Sequence, residues 1–158
     1  HDVRFFVLTG ENGQEELKAL CKKLGITDKS TIMGPVPHEE VPVFCDLIDV
    51  FIVSRPETRV TKLVTPLKPF EAMGAGKVLI TSSVQALAEI VQDGVTGMVF
   101  EKDDSNDLAT KLETAILDEE LRENIGENAN KWVIENHSWD VISQRVTSLY
   151  DKILEGKE

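Results

Sequence analysis

Residues 64–77 read V-T-P-L-K-P-F-E-A-M-G-A-G-K. Pro66 and Pro69 bracket Leu67 and Lys68, Glu71 lies at the start of a short helical pattern, and Gly74 and Gly76 end it. The apolar run that follows at 78–81, V-L-I-T, has the continuous hydrophobicity of a strand covered on both faces. A loop thus feeds a helix beside a sheet edge, the place where open α/β sheets take their ligands.

Outward from this stretch the same alternation repeats. Residues 4–9 form an apolar run ending in Thr9-Gly10, which predicts a strand and a turn. Leu17, Leu20, Cys21 and Leu24 share one face of a helix over 14–24, and Gly25 closes it. A short strand is expected at 31–35. A helix over 38–47 follows, with Val41, Phe44 and Leu47 as its apolar face and Pro42 in its first turn, where proline is tolerated. Residues 50–53, V-F-I-V, are again continuously apolar. From Arg55 to Leu63 there is no period, both charges occur, and Pro56 interrupts, so a loop above the sheet is expected. Beyond the opening stretch, a short helix over 85–91 turns Leu87, Ile90 and Val91 inward. Asp93-Gly94 and Thr96-Gly97 mark turns before a last strand at 98–100. Three helical patterns close the chain. The first, over 105–117, carries Leu108, Leu112, Ala115 and Ile116 inward. The second, over 119–135, has its interior weakened by Gly126. The third, over 138–154, is capped by Ser138, with Val141, Val146, Leu149, Ile153 and Leu154 as burial candidates. Strands alternating with helices predict an α/β fold: a Rossmann-like, mostly parallel sheet with helices on both faces and right-handed crossovers.

The chain has 158 residues, enough for one core and too few for two full domains. With 41% hydrophobic residues it is expected to fold. The formal net charge of −11 argues against a general nucleic-acid binder. That charge is uneven. Residues 52–77 hold five basic side chains (Arg55, Arg59, Lys62, Lys68, Lys77) against two acidic ones, whereas 101–127 hold ten acidic against three basic. A basic island on an acidic body is what plain solvated charge produces, and it also suits a small anionic ligand. Cys21 and Cys45 have neither metal-ligand nor disulfide spacing, so a reducing, cytoplasmic setting is the expectation. No apolar run is long enough to span a membrane. His1, His38 and His137 are scattered, with no H-E-x-x-H and no C-x-x-C, so no metal is expected.

Glu71 admits two readings. One is a carboxylate stabilising the orphan N–H groups of a helix start. The other is a ligand group: the N–H groups of Leu67 and Lys68, set by the flanking prolines, form an anion position, and Glu71 accepts from the vicinal hydroxyls of a ribose attached there. Lys68 then neutralises phosphate as a point charge on a flexible stem. G-A-G-K at 74–77 is not a P-loop, because Val78 stands where Ser or Thr is required and a strand follows instead of a helix. Thr9-Gly10-Glu11-Asn12-Gly13 lacks the dinucleotide fingerprint, and Ser82-Ser83 lacks the context of a nucleophile elbow. Trp132 and Trp139 are expected in core or domain packing.

In order along the chain, F-F-V-L-T-G-E-N-G, I-M-G-P-V-P-H-E-E-V-P, L-I-D-V-F-I-V-S-R-P, P-F-E-A-M-G-A-G-K-V-L-I-T, A-E-I-V-Q-D-G-V-T-G-M-V-F and H-S-W-D resemble the C-terminal, donor-binding half of GT-B glycosyltransferases of family 4 (glycosyl transferases group 1). The ordered set covers nearly the whole chain. The resemblance implies a single Rossmann-like nucleotide-sugar-binding domain over 1–158, the C-terminal domain of a GT-B fold truncated at its N-terminus. Its final helix, about 138–155, would pack toward an N-terminal acceptor-binding domain of the same protein. It implies a retaining transfer from a UDP- or GDP-linked sugar with no separate cofactor, in cell-surface glycan or glycolipid synthesis, in a protein peripheral at the cytoplasmic membrane face.

The family carries a pair of glutamates. The second maps onto Glu71 and contacts the nucleotide ribose; the first, which contacts the donor sugar, would fall at Leu63, which is not acidic. Backbone contacts to the diphosphate fall around Leu67 and Lys68, within Thr65-Pro66-Leu67-Lys68. Thr65 or Arg59 is then the candidate for covering the sugar. The family's Arg/Lys phosphate pair would precede Arg4, so this stretch alone is expected to be inactive, and its catalytic residues are unassigned. Two alternatives stand beside this reading: a degenerate GT-B-like domain acting as a binding or scaffolding module, for which Leu63 is the support, and a GT-B-like epimerase or phosphorylase. The phosphorylases need a pyridoxal phosphate lysine, and no region resembles that site.

Overall fold

Each apolar run becomes a strand, and the periodic stretches between them become helices, in the computed structural model, which describes residues 2–156. His1 lies outside the described residues. The chain divides into two compact units, one ending at Ile48 and one beginning at Asp49.

The first unit holds β1 (Phe5–Leu8), α1 (Glu11–Leu24), β2 (Ser30–Met33) and α2 (Val41–Asp46). β1 and β2 pair in parallel, from Phe5 opposite Ser30 to Leu8 opposite Met33. Gly25 ends α1 in the left-handed conformation, φ 69°, which glycine enters without a Cβ clash. His38 opens a 3-10 turn, His38–Glu40, that leads into α2, with Pro42 in the first turn as expected. Phe44 of α2 stacks on Phe6 of β1, ring centroids 5.7 Å apart. The apolar stripe of α1 is less buried than its period suggests. Cys21 is enclosed, but Leu20 and Leu24 are exposed, and so is Leu47 after α2. Two strands of four residues offer too little surface to cover a four-turn helix.

The second unit is built on β3 (Val50–Val53), β4 (Val78–Ser82) and β5 (Met98–Phe100), all parallel, with β4 in the centre and buried along its whole length. Around it lie α3 (Arg59–Leu63), α4 (Lys68–Gly74), α5 (Gln85–Ala88), α6 (Ser105–Leu117), α7 (Glu119–His137) and α8 (Trp139–Glu155). Strand side chains alternate between faces. Leu79, with Phe51, Val53 and Val99, joins a core with Ala72 and Met73 of α4, Leu87, Ile90, Val91, and Ala129 and Val133 of α7. Val78 and Ile80, with Met98 and Phe100, join Leu108, Leu112 and Ala115 of α6 and Leu121 and Ile125 of α7 on the opposite face. The expected parallel α/β arrangement with helices on both faces is therefore present, and α7 contributes to both cores.

The D-G-V-T-G turn folds on its own polar groups. The Gly94 N–H donates to the Gly97 carbonyl (2.8 Å), and the Asp93 carboxylate accepts from the Val99 N–H (2.8 Å). Asp104, Asp118 and Ser138 cap α6, α7 and α8 with side-chain oxygens.

The burial expected along α8 is not observed. Val141 and Ile142 are half-buried, and every residue from 143 to 156 is exposed, including Val146, Leu149, Ile153 and Leu154; Trp139 is 83% exposed. α8 packs chiefly on α7, and among the described residues its apolar face beyond Ile142 lies in solvent.

Within the sheet, the hydroxyl of Thr81 is fully buried and has no hydrogen-bond partner among the described residues. Thr81 lies in register between Val53 and Val99. An unmet buried hydroxyl costs about 1–3 kcal/mol. Thr81→Val, which removes that group and completes a row of valines, is expected to raise stability by about 1 kcal/mol, a melting midpoint gain of about 3 °C by thermal denaturation. A lower midpoint would mean the hydroxyl is satisfied.

Candidate functional site

The proline-bracketed stretch approaches α4 as an irregular segment and enters the helix at Lys68. Leu67 is the N-cap. Its carbonyl accepts from the N–H groups of Phe70 (2.9 Å) and Glu71 (3.2 Å), which closes the first turn. Pro69, buried within that turn, has no N–H to satisfy and its fixed φ suits a helix start. The N–H groups of Leu67 and Lys68 have no partner among the described residues. Leu67 is 72% exposed, and Lys68 and Glu71 are exposed too. The Glu71 carboxylate makes no hydrogen bond or ion pair among the described residues. The helix start therefore does not use it as a cap, and it stands one turn above two unpartnered N–H groups.

The far end of α4 is fixed from behind. Ala72 and Met73 are sealed in the core, and the Asn130 amide of α7 donates to the Gly74 carbonyl (2.6 Å). Gly76 then turns the chain into β4 with φ 68°. Opposite it is Gly126. A Cβ on Gly126 would overlap the Gly76 carbonyl oxygen and come within 2.9 Å of its carbon. The residue that weakens α7 as a helix former is the one that lets two backbones meet there. At the front of α4, Phe70 contacts His137 (centroids 4.8 Å), which in turn contacts Trp132 (4.6 Å). His137 thus sits at the end of α7, in an aromatic group that flanks the site helix.

The flank toward β3 differs from expectation. Residues 55–63 are not all loop: Arg59–Leu63 form α3, held by a reciprocal cap in which Thr58 and Thr61 exchange side-chain and backbone bonds. A helix this short carries no readable period, so only the T-x-x-T spacing announced it. Glu57 accepts from both Lys62 of α3 and Lys102 beyond β5. Ser82, at the end of β4, receives the Arg55 N–H (3.1 Å) and donates to the Arg55 carbonyl (3.0 Å). The Arg55 guanidinium donates to the Val64 carbonyl (2.9 Å).

These partners sort the basic island. Lys62 is neutralised by Glu57 and Arg55 is occupied by a carbonyl, whereas Arg59 and Lys68 are exposed and unpaired among the described residues. Thr65, Pro66, Leu67, Lys68 and Glu71 are contiguous on one segment, and Arg59 stands on α3; no hydrogen bond or ion pair joins Arg59 to the others among the described residues. Leu63 ends α3 with its side chain exposed, so no carboxylate is presented there. Among the described residues the segment thus offers two unpartnered N–H groups, an unpaired lysine and an unpaired carboxylate on a helix supported from behind. That set can hold an anion and a diol side by side.

The supporting residues were not evident in the sequence. Ser82-Ser83, unremarkable as a nucleophile, is a pair of hydrogen-bond anchors: Ser83 accepts from the Lys102 N–H (3.0 Å) as Ser82 does from Arg55. Asn130, Arg55 and Glu57 act through partners distant in sequence, which no local pattern shows.

Residues 1–132 match the family described as glycosyl transferases group 1. An uncharacterised glycosyltransferase of Methanocaldococcus jannaschii is 27% identical over 160 residues; the match takes in 98% of this chain and 38% of the archaeal protein. The chain thus spans well under half of that relative. The C-terminal domain of a glycosyl transferase group 1 family protein from Francisella tularensis superposes with a TM-score of 0.70 at 23% identity, over 82% of this chain and 64% of that one. The Anabaena protein HepE, solved in complex with UDP, superposes with a TM-score of 0.76 at 21% identity, over 95% of this chain and 41% of HepE.

Proposed function

The chain belongs to the glycosyl transferases group 1, and on that premise we propose that residues 64–72 bind the nucleoside diphosphate of a sugar donor. The observation that carries this reading is the Glu71 carboxylate and the N–H groups of Leu67 and Lys68, all without a partner among the described residues and one helical turn apart. In this assignment the N–H groups and Lys68 hold the diphosphate, and Glu71 accepts from the two ribose hydroxyls. Pro66 and Pro69 restrict the approach. Leu63 supplies no carboxylate, so contact with the sugar falls to Thr65 or Arg59.

The preorganised donors at this helix start act where charge develops, on the departing diphosphate. The anomeric centre is attacked with retention of configuration, as in family 4, and the acceptor and remaining catalytic groups come from an N-terminal domain of the longer protein. No separate cofactor is assigned; the nucleotide sugar is a substrate. The stretch by itself is assigned donor binding and no turnover. Among the described residues no helix is long and apolar enough to cross a membrane. The full-length protein is assigned to the cytoplasm, peripheral at the membrane face, in cell-surface glycan or glycolipid synthesis. Support for a nucleotide ligand comes from the similarity to HepE, which was solved with UDP.

A ligand that binds only the folded chain raises its melting midpoint as its concentration passes Kd. UDP or GDP is expected to raise the midpoint of this chain, with one of the two more effective and AMP without effect. An equal response to AMP, or none to either diphosphate, would contradict the assignment.

A further inference from the structure

We propose that Arg55 is a positioning residue that sets the conformation of residues 64–68, and that Ser82 sets Arg55; the consequence for ligand binding rests on reading that segment as the donor site. Ser82 closes the central strand and is fully enclosed. Its hydroxyl grips both backbone groups of Arg55, the N–H at 3.1 Å and the carbonyl at 3.0 Å, so the position of Arg55 is tied to the central, fully buried strand of the sheet. From there the guanidinium reaches the Val64 carbonyl at 2.9 Å.

Val64 is the point where the chain leaves α3, with φ −109° and ψ 112°, and heads for the prolines. Between it and the first turn of α4, Thr65 and Pro66 make no hydrogen bond among the described residues. The Leu67 carbonyl is used only inside α4. The Arg55 bond is therefore the one polar tether from the sheet to this segment among the described residues. The prolines limit two φ angles, which narrows the path without choosing where it runs. Arg55 makes that choice by holding the Val64 carbonyl. Its planar fork suits the task, because the geometry of several N–H groups is fixed once the side chain is placed. Lysine in its place presents one ammonium whose N–H groups rotate on a flexible stem.

The test is a two-dimensional amide NMR spectrum of the chain and of its Arg55→Met, Arg55→Lys and Ser82→Ala variants, first without ligand and then with UDP and GDP. Arg55→Met and Ser82→Ala are expected to move the same ligand-free signals, those of residues 64–71, while the signals of β4 up to Thr81 stay in place. Arg55→Lys is expected to move them less. Each of the first two variants is expected to weaken the preferred diphosphate about tenfold. Unmoved ligand-free signals at 64–71 in Arg55→Met overturn the proposal, even if affinity falls, because Arg55 would then touch the ligand directly. Unchanged affinity in a chain that binds overturns it too. Moved signals in a chain that binds neither diphosphate support the positioning role and contradict the donor-site reading instead.

Discussion

Glu71→Ala is expected to leave the melting midpoint unchanged and to weaken nucleoside diphosphate binding by at least about tenfold. The two halves of that expectation have separate causes. The carboxylate is exposed and has no partner among the described residues, so removing it takes away no folded-state bond and stability stays within about 0.5 kcal/mol. A carboxylate that accepts from two ribose hydroxyls makes charge-assisted bonds, each stronger than a neutral one, and losing one such contact is worth about 1.5–3 kcal/mol. Glu71→Gln, which keeps the shape and one acceptor, is expected to fall between. Calorimetric titration with thermal denaturation of the same samples reads both quantities. A variant that melts early and binds normally would return Glu71 to a helix-stabilising role.

Gly126→Ala is the second large effect, and it acts on the fold. The added methyl would overlap the Gly76 carbonyl oxygen and come within 2.9 Å of its carbon, and both are backbone atoms that no rotamer change can move. α7 must then lift from the turn that ends α4. That disturbs the packing of Ala129 and Val133 on Ala72 and Met73 and the bond from Asn130 to the Gly74 carbonyl. A loss of about 3 kcal/mol or more is expected, at the upper end for overpacking. Intrinsic helix propensity predicts the opposite sign, since alanine exceeds glycine by about 1 kcal/mol in an exposed helix. A urea denaturation midpoint therefore separates the two, and a midpoint at or above that of the parent would show that the backbones are not in contact.

The alternation of apolar runs with helical periods was enough to read the strands, the parallel α/β order and the larger helices. α6 is the clearest case: its four inward positions repeat through thirteen residues from a capping Asp104, and the helix runs over the expected span. Legibility failed where the signal is not local. α3 has five residues, too few for a period, and it is held by Thr58 and Thr61 instead of by an apolar face. α8 carries a good apolar stripe, yet among its described residues only Val141 and Ile142, near its start, are half-buried, and a stripe says nothing about whether a surface waits to receive it. The candidate segment was legible because proline, glycine and glutamate fix backbone and charge over a few residues. Its supports were not: Ser82 meets Arg55 across 27 positions and Asn130 meets Gly74 across 56. Gly126 was legible only as a weak point, because the reason for it lies on another element.

The segment 64–72 is assigned the nucleoside diphosphate. Titrating UDP, GDP and AMP into the labelled chain and following each backbone amide by two-dimensional NMR tests that assignment. Shifts are expected to cluster at Thr65, Leu67, Lys68, Phe70, Glu71 and Ala72, with one diphosphate preferred and AMP silent. Shifts that gather elsewhere, or a folded spectrum that stays still to about 1 mM of either diphosphate, would contradict it.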